Sequence, residues 1–164
     1  MDVSFRVGDK AVYPAYGVAE VTGLETKEIS GQKTSFYILK ILENGMRIMV
    51  PTKNVATVGL RAIVKKGEVK DVYDILRSRD VSVDSQTWNR RYREYMEKIK
   101  TGSVYEVAEV LRDLSLLKNS KELSFGERKM LDTARSLLVK ELAIAKASKE
   151  EKIERELQAI FTVS

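Results

Sequence analysis

The sequence predicts an α+β protein of two domains: a small SH3-like or Tudor-like antiparallel β-barrel over residues 1–62, then a compact all-α domain of about five helices over residues 67–164. Three observations predict it. β-rich runs broken by turn formers fill the first sixty residues, and a helical period takes over after about Arg61. Both prolines, Pro14 and Pro51, lie before that point, so nothing downstream breaks a helix.

The β half reads as five short strands. Runs near Ala11 to Tyr13, Val18 to Lys27, Thr34 to Leu42 and Met46 to Val50 carry apolar residues in alternation, and "VATVGLRAI" is expected to add a short closing strand. Asn44-Gly45 supplies the positive φ values of a tight hairpin between the third and fourth runs. Barrel closure is the usual way for so small a sheet to protect its edges.

The helical half is equally periodic. "KDVYDILRSR" places Val72, Ile75 and Leu76 on one face, "TWNRRYREYMEKIK" does so with Trp88, Tyr92, Tyr95, Met96 and Ile99, and "SVYEVAEVLRDLSLLK" continues with Val104, Val107, Ala108, Leu111 and Leu114. Gly102 separates the last two of these. Ser124 stands three residues before Glu127, the spacing of a capping box, at the head of a long amphipathic helix. "SKEEKIERELQAIF" forms a final helix, and short connections make the set compact.

Composition excludes most chemistry. Cysteine and histidine are both absent, which removes thiolate and imidazole metal sites, disulfides and the common nucleophile–base pairs. The nine glycines are scattered through turns and form no phosphate-binding loop or dinucleotide fingerprint. No cofactor is expected, and the chain reads as a binding protein rather than an enzyme. A formal net charge of +5 and a pI near 9.3 suit an anionic partner. No apolar run approaches a membrane span and the start lacks the apolar stretch of a signal peptide, so a cytoplasmic location is expected.

Two places carry binding potential. The segment from Thr87 to Lys100 has five basic residues against two acids, and the single tryptophan, Trp88, precedes Arg90, Arg91 and Arg93. Placed near a helix start by an N-cap at Thr87 or Ser85, Trp88 reads either as a core side chain or as an apolar wedge beside phosphate-binding cations. Arg128 and Lys129, early in the long helix, extend the same surface or form an ordinary solvated face. In the β half, Met46, Ile48 and Val50 alternate with Arg47 and Met49, so one set points outward. An exposed Met49 beside Pro51 forms an apolar patch suited to a protein partner, unless Met49 packs under the next loop.

These stretches resemble a known family. "VGDKAVYPAYGVAEV", "ILKILENGMRIMVP" followed by "VGLR", "WNRRYREYMEKIKTGSVYEVAEVLRDL" and "LSFGERKMLDTARSLLVKELA" are similar to the CarD/CdnL family of bacterial transcription factors, over nearly the whole chain. The resemblance implies a non-enzymatic activator that docks its Tudor-like domain on the RNA polymerase β subunit. By position the docking residues are Lys27, Ile29, Met49 and Pro51, with Lys27 and Met49 standing where other members have arginine. It further implies that the helical domain sets Trp88 against the minor groove at the upstream edge of the melted promoter, near phosphates held by Arg90, Arg91 and Arg93. The open promoter complex would thereby be stabilised without strong reading of sequence. A monomer, associated with the nucleoid through polymerase, is expected. A free-standing nucleic-acid module or a protein scaffold with no direct DNA role are the alternatives.

Overall fold

The computed structural model describes residues 5–79 and 88–162, with residues 88–90 described by backbone alone. The chain divides into two compact units, Met1–Ile63 and Val64–Ser164.

In the first unit, strands β1 (Lys10–Tyr13), β2 (Gly17–Ile29), β3 (Gln32–Ile41), β4 (Arg47–Pro51) and β5 (Arg61–Ala62) form one antiparallel sheet in the order β4-β3-β2-β1-β5. Its inner face carries Ala11, Ala19, Val21, Leu39, Ile41 and Val50, all nearly or fully enclosed. Tyr37 closes one end of this core, where its ring meets Phe5 edge-on and its hydroxyl accepts the Phe5 N–H at 3.1 Å.

Two local expectations are corrected. The two-residue hairpin with paired positive φ values joins β2 to β3 at Ser30 (φ 52°) and Gly31 (φ 80°), the pattern of a type I′ turn. At Asn44-Gly45 only the glycine is left-handed. The loop there is wider, because the Asn44 side chain accepts the Met46 N–H at 2.9 Å while the Gly45 N–H reaches back to the Ile41 carbonyl at 2.8 Å. Nor is "VATV" a strand. It forms a single helical turn, α1 (Val55–Val58), which sinks Val55 into the core and ends at Gly59 (φ 79°), leaving only Arg61–Ala62 to pair with β1. A Cβ at Gly59 would stand 3.0 Å from the Pro14 ring, so both its torsion and its neighbour call for glycine.

The second unit holds five α-helices among its described residues: α2 (Val69–Arg77), α3 (Trp88–Thr101), α4 (Val104–Ser120), α5 (Phe125–Ala145) and α6 (Glu150–Phe161). The apolar stripes fall where the periodicity places them. Val72, Leu76, Ile99, Leu111, Leu114, Leu138, Leu142 and Ile153 make one continuous core, with α4 packed on α2, α3 and α5. Tyr95 and Ile99 carry the buried stripe of α3, but Tyr92, expected on it, is 44% exposed. Gly102 ends α3 in the left-handed conformation (φ 76°). The expected N-cap of α3 at Thr87 or Ser85 lies outside the described residues.

The capping box at the head of α5 is formed in full. The Ser124 hydroxyl accepts the Glu127 N–H at 3.2 Å, and the Glu127 carboxylate accepts the Ser124 N–H at 2.9 Å. Glu127 is also almost completely buried, and its carboxylate is faced by Lys121 at 3.1 Å and by the Arg91 guanidinium at 3.6 Å. Burial acts to raise the Glu127 pKa. The hydrogen bonds from Ser124 and the Lys121 ammonium outweigh it and hold the group below its usual 4.5. Glu156 is held low as well, chiefly by the hydrogen bond from the Tyr73 hydroxyl and then by Lys146.

A folded-state pKa below the unfolded one means that the unfolded chain takes up protons first as pH falls. The stabilisation from Glu127 and Glu156 is therefore complete above about pH 4.5 and is lost as pH drops through their depressed folded values. Urea titrations across that range should show a falling midpoint in the native chain. Ser124→Ala, which removes the cap, should cost about 1 kcal/mol at neutral pH.

Candidate interaction surfaces

On antiparallel strands, directly paired residues point to the same side of the sheet, and so do alternate residues along one strand. Register therefore decides which side chains share a face. Lys27 pairs with Thr34 and Ile29 with Gln32, while Met49 pairs with Ile38 and Pro51 with Phe36. Gln32, Thr34, Phe36 and Ile38 are alternate residues of β3, so Lys27, Ile29, Met49 and Pro51 lie on one face, strung along about 20 Å of that strand.

This face lies opposite the core. Val50 is buried and Ile48 packs against the core, which turns Met49 outward at 41% exposure, and Ile29 is 51% exposed. Pro51, the last residue of edge strand β4, needs no N–H to continue the ladder. Between the four expected residues lie two more, the half-buried Phe36 and Ile38. Their signal was present in "SFYILKI". A strand apolar at consecutive positions has two faces to cover, and the unit has one core to cover them with.

The second surface lies at one end of the helical unit. Arg91, the fourth residue of α3, reaches Glu127 in the first turn of α5, which brings the starts of these two helices together. Arg91 is only 12% exposed. Its guanidinium, which the resemblance sets near phosphates, lies 3.6 Å from the buried Glu127 carboxylate, at ion-pair rather than hydrogen-bond distance, and Arg91 Nε and Glu127 Oε2 are buried with no hydrogen-bond partner among the described residues. Arg91 also lies close enough to Tyr95 to oppose the rise of that phenol, which burial and then the Asp113 charge push up to about 12.

Arg93, Arg128 and Lys129 are exposed. The backbone of Trp88 and Arg90 opens α3, while their side chains lie outside the described residues. Periodicity did not mark Phe125, which is 75% exposed at the first position of α5. The clue was its place directly after the N-cap serine, ahead of the first turn that can pack. An exposed aromatic ring, exposed cations and the start of α3 thus meet at one end of the bundle.

Among the described residues no cluster of His, Cys, Asp and Glu fits a metal ion, and no helix is long and apolar enough to cross a membrane. What the two units present are an apolar strip on a small sheet and a basic, aromatic end on a helical bundle. That is the equipment of a two-module binding protein.

The comparisons with known proteins agree module by module. Residues 5–64 match the CarD-like/TRCF RID domain, and residues 71–158 match the CarD C-terminal domain. The Bacillus subtilis (strain 168) protein named "Putative transcription factor YdeB" is 34% identical over 149 residues, which cover 91% of this chain and 97% of that protein. Among solved structures, CdnLNt from Myxococcus xanthus is 61% identical over 39% of this chain and 90% of its own, with a TM-score of 0.33. The solution structure of the N-terminal domain of Myxococcus xanthus CarD is 37% identical over 38% of this chain and 83% of its own, with a TM-score of 0.32. The chain belongs to the CarD/CdnL family, whose members are non-enzymatic transcription factors that interact with RNA polymerase.

The two arginines of α3 should separate cleanly. Arg91→Ala leaves the buried Glu127 without one of its two facing cations and should destabilise the fold by about 3 kcal/mol. Arg93→Ala, on an exposed face, should stay within about 0.5 kcal/mol of the native chain. Denaturant titration of both checks the assignment.

Proposed function

We propose that the chain is an activator that anchors to the RNA polymerase β subunit through the outer face of β2, β3 and β4, and uses the basic end of its helical unit to stabilise the open promoter complex. The observation that carries the first half is the register. It puts Lys27, Ile29, Met49 and Pro51 on one outward face together with Phe36 and Ile38. An apolar strip of this kind, on a strand whose other side already fills a core, fits a protein partner.

The second half rests on the meeting of α3 and α5. Arg90 and Arg93, with Arg128 and Lys129, hold phosphates at the upstream edge of the bubble, while Trp88 acts as an apolar wedge against re-stacking. Phe125 lies on the same end of the bundle. Arg91 serves this surface indirectly, by joining α3 to the α5 cap. A few phosphate contacts and one wedge bind DNA weakly by themselves. Attachment to polymerase supplies effective concentration in place of affinity, so no strong sequence preference is needed and a monomer suffices. The molecule would be found in the cytoplasm, on the nucleoid where polymerase works.

Two measurements test this. Met49→Asp should abolish binding to the isolated β subunit while leaving the thermal transition in place, since Met49 is exposed; unchanged binding removes the sheet face as the anchor. Trp88→Ala should still bind polymerase but shorten the lifetime of the open complex after a heparin challenge. An unaltered lifetime removes the wedge, and tight binding of the native chain to bare DNA without polymerase would favour a free-standing nucleic-acid module.

A further inference from the structure

The chain passes from one unit to the other within a very short stretch. Leu60 is buried in the sheet core, and Arg61 and Ala62 pair with Val12 and Ala11 of β1. Two residues after Ala62, the chain already belongs to the other unit. The Val64 side chain is buried in the helical core, and its backbone N–H donates to the Glu141 carboxylate of α5 at 2.9 Å. Ile63 alone stands between the last residue held by the sheet and the first held by the bundle.

Beyond Val64 the hold continues. Glu68 accepts the hydroxyl of Tyr105 from α4 at 3.2 Å, and Val69, the first residue of α2, is buried in the same core. The composition of the crossing agrees. Connections between domains are commonly rich in glycine, proline and polar residues, whereas residues 60 to 64 read Leu-Arg-Ala-Ile-Val.

The acceptor at this point is a costly one. Glu141 is 3% exposed, and the N–H it accepts lies 77 residues away in sequence. A buried carboxylate needs compensation that a backbone carbonyl does not, so a single N–H could be satisfied more cheaply. What the longer side chain adds is reach: Val64 lies in neither helix nor strand, and Glu141 holds it where the chain enters the bundle. Two Cα–Cα steps of about 3.8 Å then keep Ala62 and Val64 within about 7 Å of each other.

We propose that Glu141 is a positioning residue: by pinning Val64 it confines the joint between the units to Ile63, and so keeps the DNA-facing end of the bundle within a short, fixed reach of the polymerase anchor. The proposal rests on the function proposed above, in which weak DNA contacts depend on effective concentration. That concentration falls roughly as the −3/2 power of linker length, so a joint of one residue holds it high.

The pin is tested in the full native chain by amide hydrogen exchange. The Val64 N–H should be protected, and an unprotected one overturns the anchor. The reach is tested by inserting eight Gly/Ser residues between Ile63 and Val64, which lengthens the joint from one residue to nine and lowers effective concentration roughly thirtyfold. Circular dichroism and titration with the isolated β subunit should match the native chain, while the lifetime of the open complex after a heparin challenge, with factor at saturation, falls towards that of polymerase alone. Glu141→Ala should shorten the lifetime in the same direction; Glu141→Gln, which keeps an acceptor oxygen, should not. Equal loss in these two variants, both natively folded, overturns Glu141 as the acceptor. A native lifetime in the insertion variant overturns the proposal and leaves the proposed function standing, whereas a native chain that does not lengthen the lifetime at all overturns both.

Discussion

The arrangement of the basic end depends on one buried carboxylate. Glu127 reads first as half of a helix cap, yet its oxygens also meet Lys121 from the α4–α5 connection and Arg91 from α3. Burying a charge is costly unless it is paired and hydrogen-bonded. Here three separate pieces of chain converge to offset that cost, although Glu127 Oε2 keeps an ion pair and no hydrogen bond among the described residues. The carboxylate therefore specifies position more than it adds stability: α3 cannot shift along α5 without stranding a charge. The surface residues Arg93, Phe125, Arg128 and Lys129 are held in register by a contact in which none of them takes part.

The sheet unit meets a different constraint with the same economy of parts. A small antiparallel sheet has one face for its core, and β3 is apolar on both. Tyr37, Leu39 and Ile41 fill the inside, while Phe36 and Ile38 are left to lie under Met49 and Pro51 on the outside. Those outer residues contribute little to the core. The core of this unit does not need their apolar character, which is why the proposed anchor is drawn on this face.

Much of this was legible in sequence, and the failures have physical causes. The five helices, the glycine stop at Gly102 and the Ser124–Glu127 cap follow from period and spacing, which are local. The outward turn of Met49 followed from simple alternation once Val50 was placed in the core. The ion pair of Arg91 was not legible because its partner is thirty-six residues away, and no pattern within α3 distinguishes an arginine drawn to a buried acid from one facing water. The closing strand expected in "VATVGLRAI" forms at Arg61–Ala62 alone: β-branched residues favour a strand locally, but burial of Val55 and the left-handed Gly59 favour a turn of helix before it. The Asn44-Gly45 loop shows the same limit, since the Asn44 side chain accepts the Met46 backbone N–H and reshapes a motif whose dipeptide promised a tighter turn.

The two units differ in what their surfaces can accomplish alone. An apolar strip gains from desolvation and is little affected by salt, whereas phosphate contacts weaken steeply as salt rises. A chain that carries one of each divides the work by physics. On the proposed function, its residence on polymerase is set by the salt-tolerant surface and its hold on DNA by the salt-sensitive one, so the second can stay weak without the molecule being lost. On that proposal, weakness is useful. A factor that held DNA tightly would resist the polymerase leaving the promoter, whereas contacts worth only ~1–2 kcal/mol shift a balance between closed and open DNA by roughly five- to thirty-fold and are then given up.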